Sequence, residues 1–321
     1  MTVGRVAPSV RGTYLFGRET SPGTGGTANK DIGLIQNFSV APDADITDHH
    51  GQGQSAAVGV KSGKVTPKGT YDLVYQHGRI LEYAFFGGTT THAATTGDEV
   101  HTFVWGETLP SFAWEASYEK GTTDDVQKGT GLVFGSSTIS CGLDGVLKVS
   151  GDWLGKTIDN SATSATAAVV NSGLPIGGFE GALNIAESDV NFLQSWEITH
   201  NPNTKVIHGE GSRAPSDISS HDRSVSFRAK LGLEDLTQAN RLLGSASAIT
   251  TTEPTAVTLI FKADNGVTLG SGERSVELTV SASQLKYNVT AAKNDFVMID
   301  LDGFGVLSAG EAVDQVLSAS W

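Results

Sequence analysis

Strict alternation of apolar and polar residues is the feature that most constrains how this chain can fold. Residues 225–231 place Val, Phe, Ala and Leu at every second position, with Ser, Arg and Lys between them. Residues 276–282 follow the same pattern with Val, Leu, Val and Ala. A period of two is typical of strands that bury one face and expose the other to water. The sequence therefore predicts a mainly β fold built from half-buried strands.

Other segments carry the same signal together with a turn. Residues 147–153 alternate in the same way and follow Asp144-Gly145, a dipeptide that favours a tight turn and predicts a hairpin with a strand at residues 138–141. Trp114, Trp153 and Trp196 also lie in strand-like alternation. We expect these side chains, and that of the single cysteine Cys141, to pack in the core.

Parts of the first half of the chain are similar to parts of the second half at a nearly constant offset. Gln36–Val40 and Gln194–Ile198 share an aromatic residue followed two positions later by an aliphatic one, and their offset is 158 residues. The sequence HGQG at 50–53 matches HGEG at 208–211 at the same offset. A duplication of this length would determine the whole fold.

The correspondence continues toward the end of each half. Leu147, Val149 and Asp152 correspond to Val297, Ile299 and Asp302 at an offset of 150 residues. We interpret the chain as two copies of one module, residues 1–162 and 163–321, joined by a Ser-, Thr- and Ala-rich linker at 161–172. The alternative is a chance similarity between β-rich stretches.

Each predicted module contains one helix signal and one long polar stretch. Residues 233–243 carry two acidic residues in their first turn and an apolar stripe of leucines and an alanine on one face, and a glycine follows them at 244. Residues 78–86 are the counterpart in the first half. The polar stretches 41–68 and 200–222 are rich in Gly, Ser, Asp and His. Loops of this length in compact modules are usually functional, so we predict two long loops with a shared role.

Charge and composition exclude several classes of protein. The 22 basic and 35 acidic residues give a net charge of −13, whereas proteins that grip a duplex present basic surfaces. A single cysteine excludes an internal disulfide and any multi-cysteine metal site. The sequence has neither a signal-like N-terminus nor a long apolar span, so we expect synthesis in a cytoplasm and no membrane insertion.

Catalytic, cofactor and metal motifs are not convincing in this sequence. The glycine-rich residues 23–30 lack the Lys and Ser/Thr placement of a phosphate loop, and the Asp and His residues at 45–50 are not repeated in the second half. Paired carboxylates such as Glu115 with Glu119, or Asp300 with Asp302, leave glycoside cleavage open because their separation in space is not visible. We predict no catalytic, cofactor-binding or metal-binding residues.

Several ordered motifs together resemble a known family. They are the Gly-Arg-Glu-Thr sequence at 17–20 with its Gly/Thr-rich arm, Leu-Pro-Ser-Phe at 109–112, the Asp-Gly turn and Gly-Asp-Trp-Leu-Gly-Lys within 143–156, the strand at 194–198 and the loop segment at 211–217. In this order they resemble the tail tube proteins of long-tailed phages and related archaeal viruses. The resemblance spans nearly the whole chain.

The resemblance implies a β-sandwich or half-barrel module with one flanking α-helix and a long inter-ring loop. Six modules form a ring whose inner sheets join into one barrel, and rings stack helically through the loops and the terminal arm. Two modules per chain imply a homotrimeric ring with pseudo-sixfold symmetry; if the second module is instead an outward decoration, the ring is a homohexamer. The implied function is a virion tail tube that conducts viral DNA from capsid to host cell.

The resemblance also implies partners and surfaces. The partners are further copies of the chain, a tape measure protein and tail terminator or tip proteins, and DNA passes without specific binding. The expected inter-ring contacts are Gly51, Gly53, Arg213 and Asp217. The expected lumen-facing residues are Lys148, Ser150, Asp152, Asp300 and Asp302, unless these merely face outside water. Since DNA is a polyanion, we expect the excess of Asp and Glu to line the lumen.

A β-sandwich carbohydrate-binding or adhesion module of a virion or cell surface is the alternative function. Modules of that kind expose aromatic platforms. The chain has only five Trp, and the alternation places three of them in the core.

Overall fold

The structure, a computed structural model, describes most of the chain. The described residues are 12–50, 57–95, 98–106, 109–118, 125–143, 145–160, 163, 175–177, 181–186, 188–190, 192–232, 257–269, 272–291 and 297–315. The predicted linker at 161–172 lies almost entirely outside them, and so does the helix predicted at 233–243.

The described part is mainly β, as the alternation predicts. In the first half the strands are β1 (Gly12–Arg18), β2 (Leu34–Phe38), β3 (Ala41–His50), β4 (Ala57–Val74), β5 (Gly87–Thr95), β6 (Asp98–Trp105), β7 (Phe112–Tyr118), β8 (Asp125–Gly142), β9 (Lys148–Leu154) and β10 (Thr157–Asp159). In the second half they are β11 (Gly181–Ile185), β12 (Ser188–Val190), β13 (Leu193–Asn201), β14 (Lys205–Ile207), β15 (Asp217–Ser219), β16 (Ser224–Gly232), β17 (Val257–Leu269), β18 (Gly272–Ala291) and β19 (Val297–Gln315).

One antiparallel sheet, which we call the inner sheet, runs through both halves of the chain. Its strands pair in the order β2-β4-β9-β8-β13-β16-β19-β18. The first set of four and the last set of four follow the same spatial order relative to the chain: first, second, fourth and third. The two sets meet where β8 pairs with β13, and Ile139 lies opposite Ile198 at this junction.

Long strands bend out of the inner sheet and form a second layer in each half. The N-terminal part of β8 pairs with β7 and β10, and β1 pairs with β7. In the second half the N-terminal part of β18 pairs with β17 and with the C-terminal part of β19, and β11 pairs with β17. A bulge marks the bend in β8 between Phe134 and Ser137, and another marks the bend in β18 between Ser281 and Gln284.

The core lies between the inner sheet and these outer strands. In the first half Phe38 stacks on Trp153 with ring centroids 5.4 Å apart, and Trp114 lies 5.6 Å from Trp153. In the second half Trp196 packs 5.5 Å from Phe261. The three tryptophans are at most 2% exposed and Cys141 is 3% exposed, which confirms their prediction as core residues. Truncating a buried tryptophan of this kind typically costs about 3–5 kcal/mol.

The helix predicted at residues 78–86 is confirmed, although it is only partly α-helical. A short α-helix, α1 (Arg79–Leu81), continues as a π-helical segment (Glu82–Phe86), and all of these residues are buried. The helix ends at Gly87, whose φ of 66° is the left-handed conformation that glycine adopts without strain. No helix in the described part of the chain has the length and hydrophobicity that crossing a bilayer would require.

The prediction of a long loop at 41–68 is wrong. Strands β3 and β4 form an extended hairpin through this segment, in register from Ala41 opposite Lys68 to His50 opposite Ala57. Both faces of the hairpin meet water, since residues 41–48 are all exposed, so the sequence shows no alternation there. The second polar stretch, 200–222, is a loop that contains the small β14–β15 hairpin.

The Gly/Thr-rich segment after β1 folds back instead of extending as an arm. The backbone N–H of Phe16 donates to the carbonyl of Lys30 at 2.7 Å. The Glu19 carboxylate is 8% exposed and accepts hydrogen bonds from the N–H groups of Gly23 at 2.8 Å and Gly131 at 2.9 Å. A buried carboxylate satisfied by backbone donors holds this segment against the body of the protein.

Candidate assembly surfaces

One face of the inner sheet is polar across both halves of the chain. Cross-strand partners carry this face from strand to strand: Ser150 lies opposite Thr138, which lies opposite Thr199 across the junction between the halves. The opposite face is apolar, and Val149, Ile139 and Ile198 occupy the neighbouring row at 0% exposure. The chain thus presents a largely polar surface on this face, with Phe304 and Leu34 as exposed apolar side chains within it.

All five residues expected to face the lumen lie on this polar face. Lys148 and Ser150 are exposed on β9, and Asp152 follows them in the same phase. On β19, Asp300 and Asp302 lie opposite Lys230 and Arg228 of β16. The strand register places the residues of β9 and those of β19 on one surface, because side chains of directly opposite residues in neighbouring strands lie on the same face of the sheet.

The charge of the polar face is mixed rather than acidic. Its carboxylates are Asp72, Asp152, Glu197, Asp300 and Asp302, and its cations are Lys148, Arg228, Lys230 and Lys286. Arg228 Nε lies 3.2 Å from Asp302 Oδ1. The net charge of −13 is therefore not concentrated here, since alternation places cations and anions alike on the wet side of the sheet.

The polar face is hollowed where the two halves meet. A groove of about 390 Å³ follows β8, β13, β16 and β19, and its lining includes the small residues Ser140, Gly142 and Ser195. Its lining also includes the charged residues Glu197, Lys230 and Asp300.

The Asp152 carboxylate lies beside Gly135 at the bulge in β8. Partial burial raises the pKa of its carboxyl, and a backbone hydrogen bond from Ser136 offsets part of that rise. A Cβ at Gly135 would lie 1.8 Å from Asp152 Oδ1, so the carboxylate folds over the bulge in β8. It braces the bend of this strand as well as facing water.

Both ends of the inner sheet are open edges among the described residues. At one end β2 pairs only with β4, and at the other end the segment Gln284–Ala291 of β18 pairs only with β19. Val289 on this segment is 39% exposed although it belongs to the apolar face. Unpaired edges of this kind are ready to accept a strand from another chain.

The hairpin and the loop of the second half form one combined surface. We call residues 41–68 and 208–216 the hairpin–loop surface. Arg213 joins the two, since its Nε donates to the carbonyl of Gly63 at 2.9 Å and its carbonyl accepts from the N–H of Val65 at 2.8 Å. Ile46 and Val60, at 70% and 69% exposure, leave apolar side chains in water near the hairpin tip.

Of the residues expected at inter-ring contacts, Arg213 lies on this surface and Asp217 directly follows its residues 208–216 in the sequence. Arg213 contacts the hairpin of its own chain, and Asp217 begins β15, where its Oδ1 accepts the N–H of Ile218 at 2.9 Å. Gly51 and Gly53 lie outside the described residues, in the sequence between β3 and β4.

The two pairs of carboxylates considered for glycoside cleavage lie in different surroundings. Glu115 is 2% exposed and pairs with Lys128 at 3.1 Å, and its suggested partner Glu119 lies outside the described residues. Asp300 and Asp302 lie on the open polar face with Arg228 beside Asp302.

A buried clamp, which the sequence analysis missed, ties the helix of the first half to the strands of the second. Arg223 donates from Nε to His200 Nε2 at 3.0 Å and from Nη2 to the carbonyl of Phe85 at 2.6 Å, and its Nη1 donates to the carbonyl of Gly106. Its guanidinium lies 3.8 Å over the ring of Trp105. These contacts hold the two halves at the β8–β13 junction. We call Arg223 and His200 the junction clamp.

The junction clamp requires a neutral histidine. Because Arg223 donates to Nε2, the proton of His200 resides on Nδ1, which donates to the carbonyl of Ala84 at 2.8 Å. Burial and, to a lesser extent, the charge of Arg223 lower the pKa of His200 to about 3, although the hydrogen bond to Ala84 acts in the opposite direction. A histidine in the unfolded chain has a pKa of about 6.5. The neutral His200 therefore contributes its full share to the free energy of unfolding above about pH 6.5, and this contribution is lost as the pH falls toward 3.

Replacing His200 should therefore make the free energy of unfolding depend less steeply on pH in the acid range. In His200→Gln the free energy of unfolding should fall less steeply between pH 6.5 and 4, by up to about 1.4 kcal/mol per pH unit for one proton. Urea titrations at several pH values measure this. The control is His221→Gln, which removes an exposed histidine and should keep the wild-type slope. Equal slopes for His200→Gln and the wild type would contradict the neutral clamp.

Comparison with known proteins adds one finding to this geometry. The sequence model of a family described as phage tail tube protein matches residues 9–303, nearly the whole chain. No curated protein sequence matches the chain.

Proposed function

The chain belongs to the phage tail tube protein family, and on this premise we propose that three copies close into one ring of a hollow tail tube. Each chain supplies two modules in tandem, residues 1–162 and 163–321, so the ring has pseudo-sixfold symmetry. Rings stack helically, and the bore conducts viral DNA from capsid to host cell. The protein is a structural component of the virion tail and not an enzyme, and it is made in the host cytoplasm.

The observation that carries this proposal is the inner sheet with its two open edges. A sheet with one free edge at each end can join head to tail, and a head-to-tail interface closes into a ring when the rotation per subunit divides a full turn. Joining removes every exposed edge and adds main-chain hydrogen bonds. The repeated strand order of the two four-strand sets supports the tandem duplication.

The polar face of the inner sheet is the lumen wall in this proposal. Its opposite face is covered by the core and the outer strands, so only the polar face is available to line a bore. Mixed charge prevents a strong field of either sign, and a duplex carrying one negative charge per about 1.7 Å would then be neither gripped nor strongly repelled. DNA could slide along such a wall without specific binding.

The hairpin–loop surface is the inter-ring contact in this proposal. A two-stranded hairpin is marginally stable alone in water, and this one extends beyond the sheet with Ile46 and Val60 exposed. Contact with the neighbouring ring would cover these side chains. Gly51, Gly53, Arg213 and Asp217 remain the proposed contact residues. A tape measure protein within the bore and terminator or tip proteins at its ends are the further proposed partners.

Removing charge from the lumen wall tests its placement. Asp300→Asn with Asp302→Asn leaves Lys148, Arg228, Lys230 and Lys286 in excess on the polar face. Tubes of this variant should retain a short DNA duplex inside the bore at about 50 mM salt and release most of it by about 200 mM, as counterion release requires. Wild-type tubes should retain little at either salt concentration. Cosedimentation, with cryo-EM density in the bore, measures the retention.

A charge-matched control separates the wall from the outside. Asp159→Asn with Asp222→Asn removes two carboxylates from exposed positions outside the polar face and should leave DNA retention at the wild-type level. If tubes of the control variant retained DNA and tubes of the Asp300→Asn, Asp302→Asn variant did not, the polar face would lie on the outer surface. That result would contradict the proposal.

A further inference from the structure

The β8–β13 pairing inside each chain shows how the strands of neighbouring chains could pair. Resting on the ring proposed above, we infer that β18 of one copy pairs antiparallel with β2 and the residues that follow it in the next copy, in the register of the β8–β13 junction. Val289 then lies opposite Val40 of the neighbouring copy. The two strands are the open edges of the inner sheet, so no existing pairing has to break.

The first half of this register follows from strand pairing. Val149 on β9 lies opposite Ile139 on β8, and the corresponding residue of β19, Ile299, lies opposite Val289 on β18. The offset between Val149 and Ile299 is the same 150 residues that separates Ile139 from Val289. Val289 therefore holds in β18 the place that Ile139 holds in β8.

The second half follows from the other sequence offset. Ile198 on β13 corresponds to Val40 at 158 residues, within the two similar segments that begin at Gln194 and Gln36. Ile198 and Ile139 are cross-strand partners at the internal junction. Replacing each by its counterpart gives Val40 opposite Val289.

Burial agrees with this assignment. At the internal junction Ile139 and Ile198 are both 0% exposed. Their counterparts at the open edges are not fully covered, since Val289 is 39% exposed and Val40 is half-buried. Both lie on the apolar face, where Val40 packs against the core and Val289 lies opposite buried Ile299. A strand joint in this register would bury the two valines against each other as the internal junction buries its isoleucines.

The same register predicts the neighbouring pairs. Trp196 opposite Cys141 becomes Phe38 opposite Ala291, and Thr199 opposite Thr138 becomes Ala41 opposite Asn288. The Thr138 and Thr199 hydroxyls are 2.9 Å apart and share a hydrogen bond, which Ala41 cannot reproduce. The joint between chains is therefore weaker on the polar side than the internal junction, as suits a contact that forms during assembly.

Disulfide trapping tests the register. Directly opposite residues in antiparallel strands have Cα atoms about 4.5–5.5 Å apart, within the range that a disulfide spans. The variant Val40→Cys with Val289→Cys should give a covalent trimer when assembled rings are oxidised. Each single variant should give no such ladder, because the native Cys141 is buried.

A shift of one residue provides the matched control. Val40→Cys with Asn288→Cys places the two thiols on opposite faces of the joined sheet, and its yield should be at least about 10-fold lower. Rings that are normal by electron microscopy but crosslink through Val40→Cys with Tyr287→Cys in place of the Val289 pair would overturn the register and leave the ring standing. Absence of rings from the wild-type protein would instead overturn the proposed function on which the inference rests.

Discussion

Replacing Val289 by lysine is expected to abolish ring formation while the single chain remains folded. Val289 lies on the open edge of the inner sheet at 39% exposure, so a lysine there can reach water in the monomer. In a ring the same side chain would be enclosed at the joint, where an unpaired buried charge costs several kcal/mol. Since about 1.4 kcal/mol changes an equilibrium constant tenfold, we expect the association constant to fall by at least about 100-fold.

The control places the same change away from the edge. Val306 is 51% exposed on β19, outside both open edges, and Val306→Lys should form rings as the wild type does. Size-exclusion chromatography with light scattering measures assembly, and circular dichroism checks that both variants are folded. Normal rings from Val289→Lys would show that this edge is not a joint.

Shortening the β3–β4 hairpin is expected to stop stacking and leave rings intact. The variant deletes residues 45–64 and connects Ala44 to Val65, which are cross-strand partners, through an Asn-Gly turn of the type that closes two-residue hairpins. The base of the hairpin and residues 65–74 of β4, which pair within the inner sheet, remain, so the inner sheet keeps its edges. We expect single rings in negative stain and tube yield reduced at least about 10-fold, because the proposed inter-ring contact is lost.

A milder variant keeps the hairpin and changes only its apolar tip. Ile46→Ser with Val60→Ser preserves the backbone pairing and removes the exposed aliphatic groups, and it should shorten the tubes without preventing them. Tubes of normal length from the shortened hairpin would contradict its role in stacking.

The sequence predicted the elements whose two faces meet different environments. Strand β16 alternates because Val225, Phe227, Ala229 and Leu231 are at most 5% exposed while their neighbours meet water. The helix at 78–86 was predictable because its apolar run ends at Gly87. In β16 burial on one side leaves a period in the sequence, whereas the helix is buried on all sides and is marked by the glycine that ends it.

The elements that the sequence did not predict lack such a contrast. Both faces of the hairpin β3–β4 are solvated, so its residues are those of a loop and only the pairing partners reveal strands. The junction clamp left one weak signal: His200 occupies the apolar phase of Trp196 and Ile198. A polar residue at an apolar position predicts a buried hydrogen bond, but nothing in the sequence indicates that Arg223 is the donor.

The lumen candidates show where composition misleads. Alternation correctly grouped Asp300 with Asp302 on a wet face, and the register added Lys148, Ser150 and Asp152 to it. A net charge does not say which side of a sheet its members occupy, and the cations of β16 lie beside these carboxylates. Strand order, which is set by pairing between distant segments, was needed to see this.

The number of chains in one ring tests the account most directly. A cryo-EM average of purified rings or tubes, computed without imposed symmetry, gives this number together with the position of each module. We expect three chains whose six modules surround one continuous bore lined by the polar face. Six chains per ring, with the second modules projecting outward and the β8–β13 pairing outside the barrel wall, would contradict the account.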